Sequence, residues 1–275
     1  MAAPRPLKAG AALREHWPEY LIEAWALGMF MISAGVFSTL LGFPGSPLRS
    51  IVPNEDLRRT LVGIAMGSTA IMLIYSPWGK RSGAHMNPAV TLTFMRLGAI
   101  ARWDAAFYIL AQFLGGLGGV LIATVMLRSA FTAPPVRFVI TSPGPRGALG
   151  AFVSELLISA LLMSVILRVS NSPRYARFTG LCAGAMVALF IALEAPWSGM
   201  SMNPARSFAS AFPAGSWRDL WVYFTAPVLG MQAAAAIYVL QRGRHAVKCG
   251  KLLHPADQRC IHCGYMPPTD LEDLT

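Results

Sequence analysis

Two similar stretches of sequence decide the fold: SGAHMNPAV at 82–90 and SGMSMNPARS at 198–207. Each places Asn-Pro-Ala a few residues after Ser-Gly and beside an apolar run. Asparagine is a favoured helix N-cap, and proline suits the first helical position because its missing N–H would be unpaired there. Each triplet therefore predicts the start of a helix, and the residues just before it are predicted to be non-helical.

The rest of the chain has the composition of a membrane protein. Its 275 residues are 55% hydrophobic and 13% charged, whereas a soluble domain carries roughly 25% charged residues. The net charge of +10 does not indicate a nucleic-acid partner, because the basic residues are scattered between apolar runs and form no stripe. We therefore expect the lipid bilayer to surround most of the chain.

Six apolar runs approach the roughly 20 residues that a helix needs to cross hydrocarbon. They lie at about 18–41, 60–78, 104–127, 149–170, 178–196 and 219–241. Two shorter runs, 87–96 and 203–212, open with the Asn-Pro-Ala triplets and are long enough to reach only halfway. The order span, span, half-span, span occurs twice, with an odd number of full spans in each half. The sequence thus predicts an all-α membrane protein with six transmembrane helices and two re-entrant half-helices, in an inverted 3+3 repeat.

The predicted domain organisation follows from this repeat. The segments are a cytoplasmic N-terminal segment at 1–17, a first repeat at 18–127, an extracytoplasmic linker at 128–148, a second repeat at 149–241 and a cytoplasmic tail at 242–275. This orientation places roughly twice as many Lys and Arg residues on the inner segments as on the outer ones, in agreement with the positive-inside rule. We expect a multi-pass protein of the inner cell membrane with both termini in the cytoplasm.

Inverted half-helices place a path between the two repeats, near the middle of the bilayer. The positive ends of both helix dipoles would point at the centre of this path, where the side chains of Asn87 and Asn203 can donate hydrogen bonds. Backbone carbonyls of the segments before each triplet would line the approaches, because non-helical backbone at this depth survives beside a wet cavity. Such a path suits water or another small neutral solute, and it opposes cations and a proton wire.

GAHMNPAV and SMNPARS closely resemble the two signature loops of the aquaporin, or major intrinsic protein, family, and the chain looks like a bacterial-type member. The resemblance covers about 18–241, which includes all eight membrane segments. It implies a passive water channel that excludes protons and ions, with one pore in each chain of a homotetramer. It implies no enzymatic activity and no required cofactor.

The resemblance also assigns residues. The pore motifs are Asn87, Pro88, Ala89, Asn203, Pro204 and Ala205, and the backbone expected to line the pore belongs to Gly83, Ala84, His85, Gly199 and Ser201. Arg206 matches the arginine of the family's outer constriction, where it donates to the permeant and opposes cations. Glu23 and Glu155 match scaffold glutamates that accept hydrogen bonds from the re-entrant loops. For His85, a packing role with an inessential side chain is an open alternative.

The remaining constriction departs from the family pattern. Ile191 occupies the fifth-span position, where water-selective members usually place histidine, and Met200 occupies the loop position. The second-span position is Met66 or Gly67, because YSPWGKRSGAH leaves room for one residue more than the family has. Apolar walls beside Arg206 favour the alternative of a broader channel, for glycerol, ammonia or hydrogen peroxide.

Other positions favour water. Ser207 stands where glycerol-conducting members typically carry aspartate, and Tyr223-Phe224 resembles the aromatic pair of the water-channel group. We therefore expect water as the permeant, with the broader solute channel as the alternative. An ion-coupled secondary transporter is a weaker alternative, because the spans offer only Glu23 and Glu155 as groups for a coupling ion.

The tail HAVKCGKLLHPADQRCIHCGYM at 245–266 contains four residues of the types that bind metals, Cys249, His254, Cys260 and Cys263. Their spacing, C-x4-H-x5-C-x2-C, has the form of a metal-binding knuckle. A cytoplasmic location would keep the thiols reduced. The sequence leaves open a structural zinc site, a metal-free tail, and a redox or regulatory thiol pair.

Overall fold

The computed structural model describes residues 7–254 and 257–267, and no β-strand occurs within these ranges. The six long helices are α1 (Ala9–Gly42), α2 (Glu55–Tyr75), α4 (Arg102–Leu127), α5 (Gly147–Ser170), α6 (Thr179–Leu193) and α8 (Leu220–Arg242), and the two short ones are α3 (Pro88–Arg96) and α7 (Pro204–Ala214). Single helical turns lie at Pro47–Ile51, Pro77–Ser82, Ser129–Thr132 and Ala195–Ser198. Within the described ranges, six helices are long and apolar enough to cross a membrane, the fifth when the turn at Ala176–Phe178 is counted with α6. The predicted fold class is thus confirmed.

The two halves of the chain repeat the same packing. Helix α1 lies along α4 in the first half, and α5 lies along α8 in the second, while α2 and α6 pack together between the halves. The short helices α3 and α7 each pack against both α4 and α8, and they also contact one another. This arrangement brings the N-terminal ends of α3 and α7 together in the interior of the bundle.

Glycines let the paired helices approach closely. A Cβ atom added to Gly115 would collide with the carbonyl oxygen of Ala24, and one added to Gly119 would collide with that of Gly28. The two glycines, four residues apart on α4, thus form the contact surface for α1. Large apolar side chains such as Leu114 remain exposed on the outer faces, as lipid contact requires.

Several helix boundaries differ from the sequence prediction. Helix α1 begins at Ala9, so it includes much of the predicted N-terminal segment 1–17 and continues through Pro18. The side chain of Tyr20 stabilises the added turns, because its hydroxyl lies 3.1 Å from the carbonyl of Ala12 and 2.6 Å from the carboxylate of Asp104 on α4. Hydropathy alone does not reveal such a contact.

Helix α2 begins and ends earlier than the predicted 60–78. Asn54 caps its first turn by accepting a hydrogen bond from the Leu57 N–H at 2.9 Å. The helix ends at Tyr75, because Pro77 disfavours a helical conformation of the residue before it. Helix α6 likewise ends at Leu193, and the predicted end of that span, at 196, falls within the separate turn Ala195–Ser198.

Candidate solute pore

The two Asn-Pro-Ala triplets start the short helices at the predicted residues. The Asn87 side chain accepts a hydrogen bond from the Ala89 N–H at 2.8 Å, and the Asn203 side chain accepts from the Ala205 N–H at 3.1 Å. Both asparagines have extended backbones, as N-cap residues should. This N-cap hydrogen bond orients the amide nitrogen of each asparagine away from its own helix.

Each of these amide groups binds the opposite loop. Asn87 Nδ2 donates to the carbonyl of Met202 at 2.7 Å, and Asn203 Nδ2 donates to the carbonyl of Met86 at 2.7 Å. The two loops are therefore joined by a reciprocal pair of hydrogen bonds at the centre of the bundle. Because an asparagine amide carries two N–H donors, each can also serve a molecule in the adjoining cavity.

A buried glutamate holds each loop in its conformation. Glu155 accepts hydrogen bonds from the Ser198 hydroxyl at 2.7 Å, the Ser201 N–H at 2.6 Å and the Met202 N–H at 2.7 Å. Glu23 makes the corresponding contacts in the first half. It accepts from the Ser82 hydroxyl, the His85 and Met86 N–H groups and the Gln112 amide at 2.7–3.0 Å. These are the contacts expected of scaffold residues.

The loops need this support because their backbones are strained. In these two loops, four residues other than glycine have left-handed φ angles, and they are Ala84 (53°), Met86 (50°), Met200 (48°) and Met202 (53°). Side-chain-bearing residues rarely adopt such angles, and each costs of order 1–3 kcal/mol unless its surroundings hold it. The alternation turns successive peptide groups in opposite directions, so that some face the glutamate and others face the cavity.

A cavity of about 520 Å³ lies between the repeats, with Arg58 among its lining residues at one end and Leu252 at the other. The predicted site residues that line it are Met66, Ala84, His85, Asn87, Ile191, Gly199, Met200, Ser201, Asn203 and Arg206. Pro88, Ala89, Pro204 and Ala205 do not line it and are buried in the first turns of α3 and α7. The structure thus assembles most of the predicted set around one cavity.

Gly67 is a correction to the sequence prediction. A Cβ atom on Gly67 would lie 2.5 Å from the carbonyl oxygen of Gly184, so this residue faces α6. Its neighbour Met66 is the residue of the pair that lines the cavity. A stripe with a spacing of four residues, Val62, Met66, Ala70 and Ile74, forms the wall that α2 contributes. Helical periodicity counted along α2 could have found it.

Gly83 is a second correction. It ends the turn Pro77–Ser82 with a φ of 102° and is not among the residues that line the cavity. Its carbonyl oxygen accepts a hydrogen bond from the Leu252 N–H at 3.2 Å. The expected pore-lining carbonyl is therefore bound by a residue of the C-terminal tail.

Arg206 is held by a residue that the sequence did not single out. Its Nη1 donates to the carbonyl of Val139 at 2.8 Å, and Val139 lies in the predicted linker 128–148 and lines the cavity. The α6 side of the cavity is lined by aliphatic side chains that the sequence did not single out, Ala183, Val187 and Ala195. Apart from Arg206, the charged residues that line the cavity are Arg49, Glu55, Arg58 and Arg59.

The residues that favoured water in the sequence lie outside the cavity. The Ser207 hydroxyl is within 2.7 Å of Thr141 Oγ1 and 2.6 Å of Ser201 Oγ. The Tyr223 hydroxyl donates to the carbonyl of Ser198 at 2.6 Å, and the Phe224 ring packs against Phe113. Ser207 and Tyr223 therefore support the second re-entrant loop from outside the cavity, and Phe224 packs against α4 of the first repeat.

The four metal-ligand residues of the tail also come together. The candidate ligand atoms of Cys249, His254, Cys260 and Cys263 all lie within 4.8 Å of one another. Hydrogen bonds to the Cys260 and Cys263 sulfurs raise the pKa of His254 to about 9. Hydrogen bonds from Cys249 and Cys260 lower the pKa of Cys263. The cluster is a candidate metal centre.

Two re-entrant helices that meet at capped asparagines, between six spans in an inverted repeat, define a membrane channel. The family model described as "Major intrinsic protein" matches residues 13–238. The chain belongs to this family, as the two signature loops predicted.

The similar proteins agree with this assignment. The chain is 38% identical over 180 residues to putative aquaporin NIP4-1 of Arabidopsis thaliana, covering 65% of this chain and 62% of that protein. It is 34% identical over 217 residues to nodulin-26 of Glycine max, covering 77% of each. The chain thus spans somewhat under two thirds of the Arabidopsis protein's length. These relatives are plant proteins, so the bacterial-type resemblance and the inner-membrane location stay predictions, while the multi-pass membrane location is supported.

A solved structure shares the fold. The X-ray structure of the aquaglyceroporin from Plasmodium falciparum aligns with a TM-score of 0.67, covering 81% of this chain and 95% of that one. The sequence identity of 22% makes this match evidence for the fold alone.

Proposed function

We propose that the chain is a passive channel for small uncharged polar solutes of glycerol's size and below, as well as for water. This is the broader of the two channel functions that the sequence left open. The observation that carries it is the aliphatic wall of the cavity that Arg206 faces, formed by residues such as Met66, Ile191 and Met200.

The wall favours solutes that are partly apolar. Water that enters an aliphatic passage gives up hydrogen bonds, and an unmade hydrogen bond costs about 1–3 kcal/mol. A small polyol loses less, because its C–H groups contact Met66 and Ile191 while its hydroxyls accept from Arg206 and the asparagine amides. The lining with Ile191 therefore favours amphipathic solutes more than the same lining with histidine at position 191 would.

Cations are opposed by fixed positive charge. Arg206 carries a full charge, and the N-terminal ends of α3 and α7 each contribute a partial positive charge at the centre. A coupling-ion site has little support, because the oxygens of Glu23 and Glu155 already accept hydrogen bonds from the loops. These features support passive flux and weigh against an ion-coupled transporter.

The test is stopped-flow light scattering of proteoliposomes, first under a sucrose gradient and then under a glycerol gradient. Shrinkage in both, with re-expansion in glycerol alone, is the expected result. Rapid shrinkage without glycerol re-entry would restore the water-selective channel as the function.

Replacement of Ile191 by histidine should shift the permeant preference toward water. The imidazole supplies the hydrogen-bonding wall that the cavity lacks there, so the ratio of glycerol to water permeability should fall roughly 2- to 10-fold, the effect of one hydrogen bond worth about 0.5–1.5 kcal/mol. The matched control is Ile191→Leu, which keeps the wall apolar and should keep the ratio. An unchanged ratio in Ile191→His would remove residue 191 from the selectivity argument.

We also propose that four chains associate, as the family resemblance implies. The cavity lies within a single chain, so the pore itself does not require association. The mass of the detergent-solubilised protein, corrected for bound detergent, measures the number of chains.

A further inference from the structure

The C-terminal tail lies across one mouth of the cavity. Leu252 is 4% exposed and lines the cavity, and its N–H donates to the carbonyl of Gly83 at 3.2 Å. His85 Nε2 donates to the carbonyl of Gly250 at 2.6 Å. Both hydrogen bonds go to the first re-entrant loop, one to the backbone of Gly83 and one to the side chain of His85. The segment 250–253, here called the cap, is therefore bound directly to this loop.

The fit between the cap and the loop is close. Lys251 is 2% exposed, and a Cβ atom added to Gly83 would lie 2.9 Å from Lys251 Cγ. His262 extends this contact, because its Nε2 lies 3.1 Å from the carbonyl of Ser82. Arg259 Nη2 donates to the carbonyl of Glu15 on α1 at 3.3 Å. The tail thus contacts the loop and the first helix on the same face of the protein.

The cap has little secondary structure to stabilise it. Residues 247–254 contain no helix or strand, and ordering a residue costs about 1–2 kcal/mol of backbone entropy. Two of the four clustered ligand residues, Cys249 and His254, stand immediately before and after the cap. Bonds that join the four clustered residues therefore fix both ends of the cap at once.

The cluster has the dimensions of a zinc site. Zn–S bonds of about 2.3 Å in a tetrahedron separate two sulfurs by about 3.8 Å. The Cys249 and Cys260 sulfurs are 3.5 Å apart, and His254 Nε2 is 3.2 Å from the Cys263 sulfur. Three thiols and one imidazole form the Cys₃His set of structural zinc centres. A shared metal ion requires all four ligand atoms to lie around one point. Pairwise hydrogen bonds between the thiols and the imidazole would not require this.

We propose that Cys249, His254, Cys260 and Cys263 bind one Zn²⁺ and that the metal holds the cap across this mouth of the pore. Loss of zinc frees both ends of the cap and raises permeability. Only the effect on permeability rests on the proposed function, because zinc binding and cap order are measured without transport.

Metal content tests the site directly. The purified wild-type protein should retain about one zinc per chain after dialysis against a weak chelator, because folding around the metal makes binding tight. The double variant Cys260→Ser/Cys263→Ser should lose it. The control is Cys182→Ser, since this remaining cysteine belongs to α6 and lies outside the cluster. Equal zinc in the wild type and the double variant would overturn the proposal.

Hydrogen exchange and water flux test the cap. The amide of Leu252 should exchange slowly in the zinc-loaded protein and at least tenfold faster after chelation. Osmotic water permeability of liposomes should rise several-fold in the double variant relative to Cys182→Ser. Leu252→Ala guards against misfolding of the double variant, because it should keep zinc and still raise permeability. Unchanged exchange and unchanged water flux on zinc loss would refute the cap.

The outcomes separate this inference from the proposed solute range. If water flux rises on zinc loss while glycerol enters through none of the variants, the solute range is wrong and the cap stands. If glycerol permeates at the same rate with and without zinc, the solute range stands and the cap is wrong.

Discussion

Replacement of Glu23 by leucine should abolish the channel. The carboxylate accepts four hydrogen bonds, two of them from the backbone N–H groups of His85 and Met86 in the strained first loop. Leucine leaves both N–H groups buried and unpaired, at about 1–3 kcal/mol each, and releases backbone that is unfavourable by itself. The free-energy cost of the two unpaired N–H groups and of the strained backbone together approaches the roughly 5–15 kcal/mol that stabilises a whole domain.

Two readouts check this expectation. The yield of monodisperse protein on size exclusion should fall sharply, and the recovered protein should show the permeability of empty liposomes. Glu23→Gln keeps one acceptor oxygen and should give an intermediate result. The matched control is Met29→Leu, an exposed position on the same helix, which should behave as wild type. A permeable Glu23→Leu protein would show that the loop does not depend on the glutamate.

Substitution of two nearby glycines on α4 by alanine should change stability in opposite directions. Gly115→Ala places a methyl group against the carbonyl oxygen of Ala24, so α1 and α4 must separate, and such overpacking costs about 1–3 kcal/mol or more. Gly118→Ala meets nothing within 4 Å and gains about 1 kcal/mol of helix propensity.

Thermal unfolding in detergent, followed by near-ultraviolet circular dichroism, measures both variants. The midpoint should fall for Gly115→Ala and stay level or rise for Gly118→Ala. Because the chemical change is the same, the difference between the two reports the helix contact alone. A shift of the same sign and size in both would show that α1 and α4 do not depend on this close approach.

What could be predicted from the sequence was local in origin. The start of α3 at Pro88 and of α7 at Pro204 follows from N-cap chemistry within a few residues, and hydropathy located six spans. The start of α1 at Ala9 could not be predicted, because its extra turns depend on the contact between Tyr20 and Asp104 on another helix. The choice between Met66 and Gly67 depends on which face of α2 lines the cavity, and periodicity along the whole of α2 would have indicated that face.

The tail shows the same division. The spacing of Cys249, His254, Cys260 and Cys263 allowed a metal site, a metal-free tail or a thiol pair. Only the first of these required all four residues to lie together, as they do. The contact of Leu252 with Gly83 joins residues far apart in sequence, and no pattern in either segment indicates it. The pore role of Val139 escaped prediction for the same reason, since it comes from a linker with no regular periodicity.

The reciprocal asparagine bonds constrain the order of events during biosynthesis. The first re-entrant loop is made after Glu23 but before its partner across the pore, because the amide group that donates to Met86 belongs to a residue 117 positions later in the chain. Until the second repeat inserts, α3 and its loop carry polar backbone that the membrane interior cannot satisfy. A ribosome-bound chain that ends between the repeats should therefore keep its first loop accessible to water, and both halves of the pore centre should close together as the last spans enter the bilayer.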